Sequence, residues 1–192
     1  MLGYLKKIAN EVIFIRLGDK GKGVFSYGKI HNTVIGDVWV AVTKKGLVAI
    51  DFEIEKNEFI NKTEELTGGR AVTQNVQVEE AIEKLGEYLE GKTDEIIFPV
   101  DMSHLSRFQK EVLETVTKVV YGQVVTYGDI ARMIGKPGAS QAVGQALRGN
   151  PIPIVVPCHR VLSADGTLGG YGGRMGSERK INLLKLEGVI LT

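Results

Sequence analysis

Cys158 is the only cysteine in this chain of 192 residues, and His159 and Arg160 follow it directly. A thiol is a nucleophile only as a thiolate, and nearby cations or hydrogen-bond donors lower its pKa. A histidine that acts as general base needs a third group to orient it, and Glu187 near the C-terminus is the best candidate. A lone cysteine can also be a small buried apolar side chain, so both interpretations stay open at this point.

The apolar run IPIVVP before Cys158 predicts a buried strand, residues 152–157. Neighbours on a strand point to opposite faces, so contact between the thiol and His159 would need a turn or a water molecule. The run PCHRV lacks the local patterns of cysteine proteases. It also lacks the second cysteine that zinc nucleobase deaminases require. GGYGG, residues 169–173, matches no nucleotide-binding loop and indicates either a surface loop or a close approach to a ligand.

The composition, 43% apolar and 24% charged residues, is that of a globular protein. No apolar stretch reaches the ~18 residues of a membrane span, and the N-terminus has no signal-peptide pattern. We therefore expect a cytoplasmic protein without membrane contact. A single cysteine excludes an internal disulfide and the common thiolate zinc sites, so no metal is expected. The net charge is −3 over residues 1–98 and +4 over residues 99–192, which is compatible with a polyanionic partner.

The first half is predicted to contain strands and one helix. EVIFIRLG, residues 11–18, is rich in strand formers, and VWVAVTKKGLVAIDFEI, residues 38–54, indicates a hairpin around the KKG turn. VEEAIEKLGEYLEG then changes to a helical period and ends at Gly91. Its predicted apolar face consists of Ala81, Leu85, Tyr88 and Leu89. The extended connector at residues 92–103 suggests a boundary between a domain at 1–98 and another at 99–192.

The second half is predicted to be mostly helical. Ser106 and Thr126 are candidate caps for two helices, and Asp129 completes a capping box with Thr126. KPGA breaks the chain, and Ser140 is a candidate cap for the next helix. Two short helices joined by such a turn suggest a helix-turn-helix, which by itself is a weak indication of DNA binding.

The stretch from Phe98 to Gly188 resembles the O6-alkylguanine-DNA alkyltransferases. The resemblance rests on PCHRV, on the preceding run from FQKEV to NPIPIVV, on GxLGGYGG and on KxxLLxxEG. It implies an α+β fold, in which a small RNase-H-like α/β domain precedes a mostly helical domain with a helix-turn-helix. It also implies a DNA-repair protein that flips an O6-alkylguanine out of the duplex and transfers the alkyl group irreversibly to Cys158, without a cofactor.

The resemblance assigns roles to further residues of this chain. His159 would deprotonate Cys158 through a water molecule, Glu187 would orient His159, and Asn150 would brace the active-site turn. Tyr127 would stabilise the departing guanine. The expected substrate pocket is lined by Val161, Tyr171, Gly172 and Pro153.

The resemblance further implies a monomer that binds double-stranded DNA through the minor groove, with residues 139–148 as the recognition helix. The residues expected to contact DNA are Gln141, Ala142, Gly144, Thr126, Ala139, Ser140, Arg148 and Arg160. Small residues on this helix would permit a close approach, although they also suit helix packing. Gln141 departs from the family pattern, which has an arginine there, and predicts weaker DNA binding or slower repair. Gly172 also departs, because some members have serine.

Two alternatives stay open beside the repair protein. One is a sensor that binds alkylated guanine without repairing it, although such proteins replace the cysteine that this chain retains. The other is a helix-turn-helix regulator with Cys158 as a chemical sensor.

Overall fold

The structure of the protein, a computed structural model, describes residues 23–72, 76–171, 174–175 and 178–189. The strands are β1 (Val24–Thr33), β2 (Gly36–Thr43), β3 (Gly46–Phe52), β4 (Arg70–Val72), β5 (Val125–Thr126), β6 (Val161–Leu162), β7 (Gly170–Tyr171) and β8 (Arg174–Met175). The helices are α1 (Lys56–Thr67), α2 (Val76–Leu89), α3 (Arg107–Val116), α4 (Tyr127–Met133), α5 (Ser140–Arg148) and α6 (Glu178–Leu186). The predicted strand at residues 11–18 lies outside the described residues.

A four-stranded sheet organises the first half, in the order β3-β2-β1-β4. β2 pairs antiparallel with both β1 and β3, as the predicted hairpin requires, and β4 pairs parallel with β1. Because side chains alternate along a strand, Val38 and Val40 of β2 face one core cluster and Trp39 and Ala41 face another. The two-sided burial explains why β2 is apolar at nearly every position.

Helix α2 packs on β1 and β2, and its buried side chains include the four that the periodicity predicted. The same core cluster continues into the second half, where it takes in Val112 and Val116 of α3 and Val143 of α5. Packing therefore crosses the predicted boundary at residues 98 and 99 without a break. The boundary itself stays a prediction.

The outer edge of β3 is covered by other parts of the chain. The Leu47 amide donates to the Pro99 carbonyl at 2.8 Å, and the Ile50 amide donates to the Pro151 carbonyl at 2.8 Å. At Gly46 a Cβ atom would lie 2.2 Å from the Pro99 carbonyl oxygen, so this approach requires glycine. These bonds satisfy amides on the edge of β3 that would otherwise have no strand partner. They also hold the connector and residue 151, which precedes Cys158, against the sheet.

The second half contains the predicted helix-turn-helix, formed by α4 and α5. Ser106 and Thr126 make the predicted side-chain caps, each within a complete capping box. The prediction for Ser140 is wrong, because Ser140 is the first helical residue and Ala139 occupies the cap position. The turn already bends at Ala139, whose amide donates to the Lys136 carbonyl at 2.9 Å, so the helix begins one residue earlier.

The prediction of a buried strand at residues 152–157 is also wrong. The segment forms a turn with an isolated bridge between Pro153 and Val156, and Ile154 has a φ of 76°. Proline has no amide hydrogen to donate, so this proline-rich run cannot complete a strand ladder. A 3-10 turn, Cys158–Arg160, follows and leads into β6. Within the described part of the chain, no helix has the length and apolar character to cross a membrane.

Candidate active site

The turn at residues 150–157 is held by the side chain of Asn150. Its amide nitrogen donates to the Val156 carbonyl at 3.0 Å and to Sγ of Cys158 at 3.2 Å, and its oxygen accepts from the Ile152 amide at 3.0 Å. One side chain thus satisfies backbone groups at both ends of the turn and contacts the thiol. Only 8% of Cys158 is exposed, at the start of the 3-10 turn.

The surroundings of Cys158 disfavour the loss of its thiol proton. Burial raises the pKa of the Cys158 thiol, while the hydrogen bond from Asn150 and the charge of Lys180 lower it in part. The resting side chain is therefore a protonated thiol, and it needs a base to become a nucleophile.

His159 is fully buried, and its Nε2 lies 2.5 Å from Oε1 of Glu187. A carboxylate can only accept, so the ring proton is on Nε2 and the lone pair is on Nδ1. Nδ1 is buried and has no hydrogen-bonding partner among the described residues. Burial lowers the pKa of His159 more than the Glu187 carboxylate raises it, so the ring is neutral at neutral pH and can take up a proton.

Glu187 follows the last residue of α6 and is 5% exposed. Burial by itself would raise the pKa of Glu187, but hydrogen bonds from His159, Arg160 and Tyr88 lower it to about 2. Arg160 Nε donates to both carboxylate oxygens, at 3.2 and 2.9 Å, and the Gly122 amide donates to Oε2 at 3.2 Å. Glu187 is therefore an ionised carboxylate held in place against Nε2 of His159.

The assignment of Arg160 to the DNA surface needs correction. The residue is 7% exposed, and its Nη1 donates to the Val119 carbonyl at 2.5 Å while Nε binds Glu187. An arginine that holds a buried carboxylate cannot also extend to a phosphate. Its place is inside the site, bound to Glu187 and to the Val119 carbonyl.

Among the other predicted site residues, Tyr127 and Tyr171 lie near Cys158. Tyr171 is 3% exposed and its ring meets that of His159 edge to face at 6.1 Å, while Pro153 and Val161 are buried. The Tyr127 hydroxyl lies beside Gly169, where an added Cβ would be 2.8 Å from it. Burial and the nearby Cys158 raise the pKa of Tyr127, so its hydroxyl keeps its proton and can donate. Gly172 lies outside the described residues.

The predicted DNA-contacting residues lie on and beside α5. Gln141, Ala142 and Arg148 are exposed, whereas Ala139, Ser140, Gly144 and Thr126 are half-buried. The Thr126 hydroxyl is already engaged with the Asp129 carboxylate at 2.6 Å. Val143, Ala146 and Leu147 face the core, so the small residues of α5 serve packing on one side and an open surface on the other.

Two functional candidates were not singled out from the sequence. Lys180 is fully buried and its ammonium donates to the carbonyls of Val161, at 2.6 Å, and Leu168. Burial lowers the pKa of Lys180 to about 8, while the nearby Cys158 raises it in part. The sequence did contain a signal for Lys180, because it lies three and four positions before Leu183 and Leu184 and so shares their apolar helix face. Tyr88 was assigned only to the apolar face of its helix, yet its hydroxyl donates to Oε1 of Glu187 at 2.5 Å.

Among the described residues, no group of three histidine, cysteine, aspartate or glutamate side chains is arranged to hold a metal ion.

Comparison with known proteins points to one family along most of the chain. The family model "6-O-methylguanine DNA methyltransferase, DNA binding domain" matches residues 107–189, and the corresponding ribonuclease-like domain matches residues 26–102. The methylated-DNA–protein-cysteine methyltransferase of Mycolicibacterium paratuberculosis is 49% identical over 107 residues, which are 56% of this chain and 63% of that protein. The inducible enzyme of Bacillus subtilis is 38% identical over 78% of this chain and 83% of its own.

A solved structure, described as Mycobacterium tuberculosis OGT in complex with DNA, superposes with a TM-score of 0.71. It is 33% identical and covers 84% of this chain and 92% of its own. The α+β fold expected from the sequence, with a ribonuclease-like unit before a DNA-binding unit, is thereby confirmed. The chain belongs to the 6-O-methylguanine DNA methyltransferase family.

Proposed function

We propose that the protein repairs DNA by moving an alkyl group from O6 of guanine to Sγ of Cys158, once per molecule. The observation that carries the proposal is the arrangement of the thiol beside Asn150 and of His159 against a buried, ionised Glu187. Curated relatives named methylated-DNA–protein-cysteine methyltransferase support it.

The reaction begins with the removal of the Cys158 proton. Nδ1 of His159 carries a lone pair, and the proton reaches it through a water molecule, as in the scheme that the family resemblance implies. The developing imidazolium is stabilised by Glu187, which stays ionised because its pKa is about 2. The Asn150 amide and the Lys180 ammonium favour the thiolate that forms.

The thiolate then displaces guanine from the alkyl carbon. The S–C bond forms as the C–O6 bond breaks, and the bonding pair passes to the guanine. The Tyr127 hydroxyl donates a hydrogen bond to the departing base. The proton that His159 took from Cys158 ends on the base, which leaves as neutral guanine, and His159 returns to its neutral form. The thioether has no easy reverse step, so the site is used once and the reaction needs no metal or cofactor.

Duplex DNA is the partner, and α5 is the element that meets it. Its exposed Gln141, Ala142 and Arg148 form an open face, and Gly144 permits a close backbone approach. We place this face in the minor groove, where Gln141 fills the space of the flipped nucleotide. The protein acts as a monomer in this proposal, and a cytoplasmic location stays a prediction.

The proposal is tested with duplex DNA that carries O6-methylguanine labelled in the methyl group. Stoichiometric transfer of the label to Cys158, absent from Cys158→Ala, is the expected result. Tight binding of the lesion without transfer would instead identify a damage sensor. Equal affinity for lesion and undamaged DNA, with no transfer, would identify a sequence-directed regulator.

A further inference from the structure

Tyr88 reaches the active site from the other half of the chain. It lies on α2, which packs on the four-stranded sheet, and it is 1% exposed. Its hydroxyl nevertheless donates to Oε1 of Glu187 at 2.5 Å, and Nη2 of Arg160 approaches the hydroxyl at 3.4 Å. The ribonuclease-like half therefore contributes a side chain to the hydrogen-bond network of Glu187 and His159.

We propose that Tyr88 is a positioning residue, through which the first half of the protein sets the orientation and charge of Glu187 and thereby the basicity of His159. This inference rests on the proposed alkyl transfer, because it names a further residue that acts on the same base. Tyr88 itself does not touch the reacting atoms.

Oε1 of Glu187 is a shared acceptor, on which Arg160 Nε also lies at 3.2 Å. Oε1 of Glu187 receives both the Tyr88 hydroxyl and Nε2 of His159, each at 2.5 Å. A hydrogen bond from Tyr88 withdraws charge from this oxygen, so the oxygen attracts a protonated His159 less strongly. Tyr88 thus keeps His159 neutral to lower pH and fixes the carboxylate that orients the ring.

Other groups near the pair act in both directions. The titratable and charged side chains that surround it are Tyr88 on α2, Tyr121 after α3, Cys158 and Arg160 in the 3-10 turn, Tyr171 on β7 and Lys180 on α6. The cations of Arg160 and Lys180 lower the pKa of His159 and remain in a Tyr88 variant. Burial, followed by Glu187, raises the pKa of Tyr88, so its hydroxyl keeps its proton over the whole working range.

Replacement of Tyr88 by phenylalanine keeps the ring and removes only the hydroxyl. Tyr121→Phe is the matched control, because its ring contacts that of Tyr88 at 6.0 Å and its hydroxyl donates to the Leu186 carbonyl at 2.7 Å. Both variants lose one hydroxyl in the same neighbourhood, which is buried at Tyr88 and partly buried at Tyr121. Only Tyr88→Phe removes a donor to the Glu187 carboxylate.

The experiment measures single-turnover transfer of labelled methyl from O6-methylguanine DNA against pH, for the full chain and both variants. We expect Tyr88→Phe to move the acid limb of the pH profile to higher pH by about one unit, because His159 then holds a proton more strongly. One pKa unit is about the size of the effect of losing one charge-assisted hydrogen bond. The rate should recover at higher pH and the final extent of transfer should be unchanged. Tyr121→Phe should leave the acid limb in place.

A second measurement does not depend on activity. The chain has three histidines, so ring-nitrogen NMR can follow the titration of His159 directly in the unmodified protein and in both variants. A higher pKa of His159 in Tyr88→Phe alone supports the proposal. An unchanged pKa, or a rate that is lower by the same factor at every pH, overturns it and reduces Tyr88 to a packing role. Failure of methyl transfer by the unmodified protein would contradict the proposed function instead, and the NMR titration would still decide the role of Tyr88.

Discussion

Nε2 of His159 lies 2.5 Å from Oε1 of Glu187, and both side chains are fully buried. Burial lowers the pKa of His159, so the histidine is neutral at neutral pH. Burial by itself would raise the pKa of Glu187, but hydrogen bonds from His159, Arg160 and Tyr88 lower it, so the carboxylate is charged. A neutral base backed by a fixed anion is the arrangement that can accept a proton from Cys158 and stabilise the resulting cation.

Glu187→Gln should lower the single-turnover repair rate about 100-fold, because the imidazolium loses its countercharge while the side-chain shape is retained. The buried Arg160 also loses its partner, which should destabilise the protein by about 3 to 5 kcal/mol. Rates are therefore measured at a temperature where circular dichroism shows the variant folded. Glu178→Gln, an exposed change on the same helix, is the control and should leave the rate unchanged. A folded Glu187→Gln protein with the unmodified rate would exclude this role.

Asn150→Ala should destabilise the protein by about 1 to 3 kcal/mol, because the Val156 carbonyl and the Ile152 amide both lose a buried partner. The repair rate should fall as well, since Sγ of Cys158 loses a donor that favours the thiolate. Urea unfolding and single-turnover kinetics measure the two effects. Asn182→Ala removes a half-buried amide that donates to the Val34 carbonyl at 2.9 Å and should lower stability without a change in rate. Equal rate losses in the two variants would argue against a specific contact with the thiol.

Gln141→Arg should strengthen DNA binding and accelerate repair, because an arginine at the same exposed position adds a positive charge at the site of insertion. The logarithmic salt dependence of affinity should steepen by about one ion. Gln145→Arg, on the same exposed face of α5, adds the same charge one turn away and should increase affinity but not the repair rate. The prediction fails if Gln141→Arg gains no more than Gln145→Arg.

Low pH should destabilise the protein through the pair of His159 and Glu187. The pKa of Glu187 is about 2 in the folded protein against 4.5 for the ordinary group, so the unfolded chain binds the proton first as the pH falls. The stabilisation is complete above pH 4.5, and about 3 kcal/mol is lost between pH 4.5 and 2. His159 adds to this loss below its ordinary pKa of 6.5, because burial disfavours its charged form in the folded protein.

Urea titrations at fixed ionic strength should therefore show that the free energy of unfolding falls as the pH is lowered below about 6.5. In Glu187→Gln the part of the slope below pH 4.5 should become smaller. A slope identical to that of the unmodified protein would mean that other carboxylates carry the acid sensitivity.

Local patterns in the sequence were sufficient for several elements. The capping boxes at Ser106 and Thr126 depend on residues three positions apart, and the buried face of α2 depends on a helical period. The hairpin of β2 and β3 follows from two apolar runs around a short turn. Cys158, His159 and Glu187 were predicted site residues because their types and order match a known family. The structure brings His159 and Glu187 together, and the catalytic roles stay predictions. The placement of Ser140 was wrong by one residue, since Ala139 already closes a turn with the Lys136 carbonyl and occupies the cap position.

The tertiary structure decided how the charges are placed. The run 152–157 became a turn instead of a strand, because its prolines lack amide hydrogens and Asn150 supplies the missing bonds. Arg160 turned inward, and Lys180 was buried, because carboxylate and carbonyl acceptors from distant parts of the chain compensate their desolvation. Tyr88 meets Glu187 across 99 positions, a contact that no local period contains. The residues that can do chemistry could be named from the sequence. Their pKa values and partners depend on burial and long-range hydrogen bonds that only the folded chain creates.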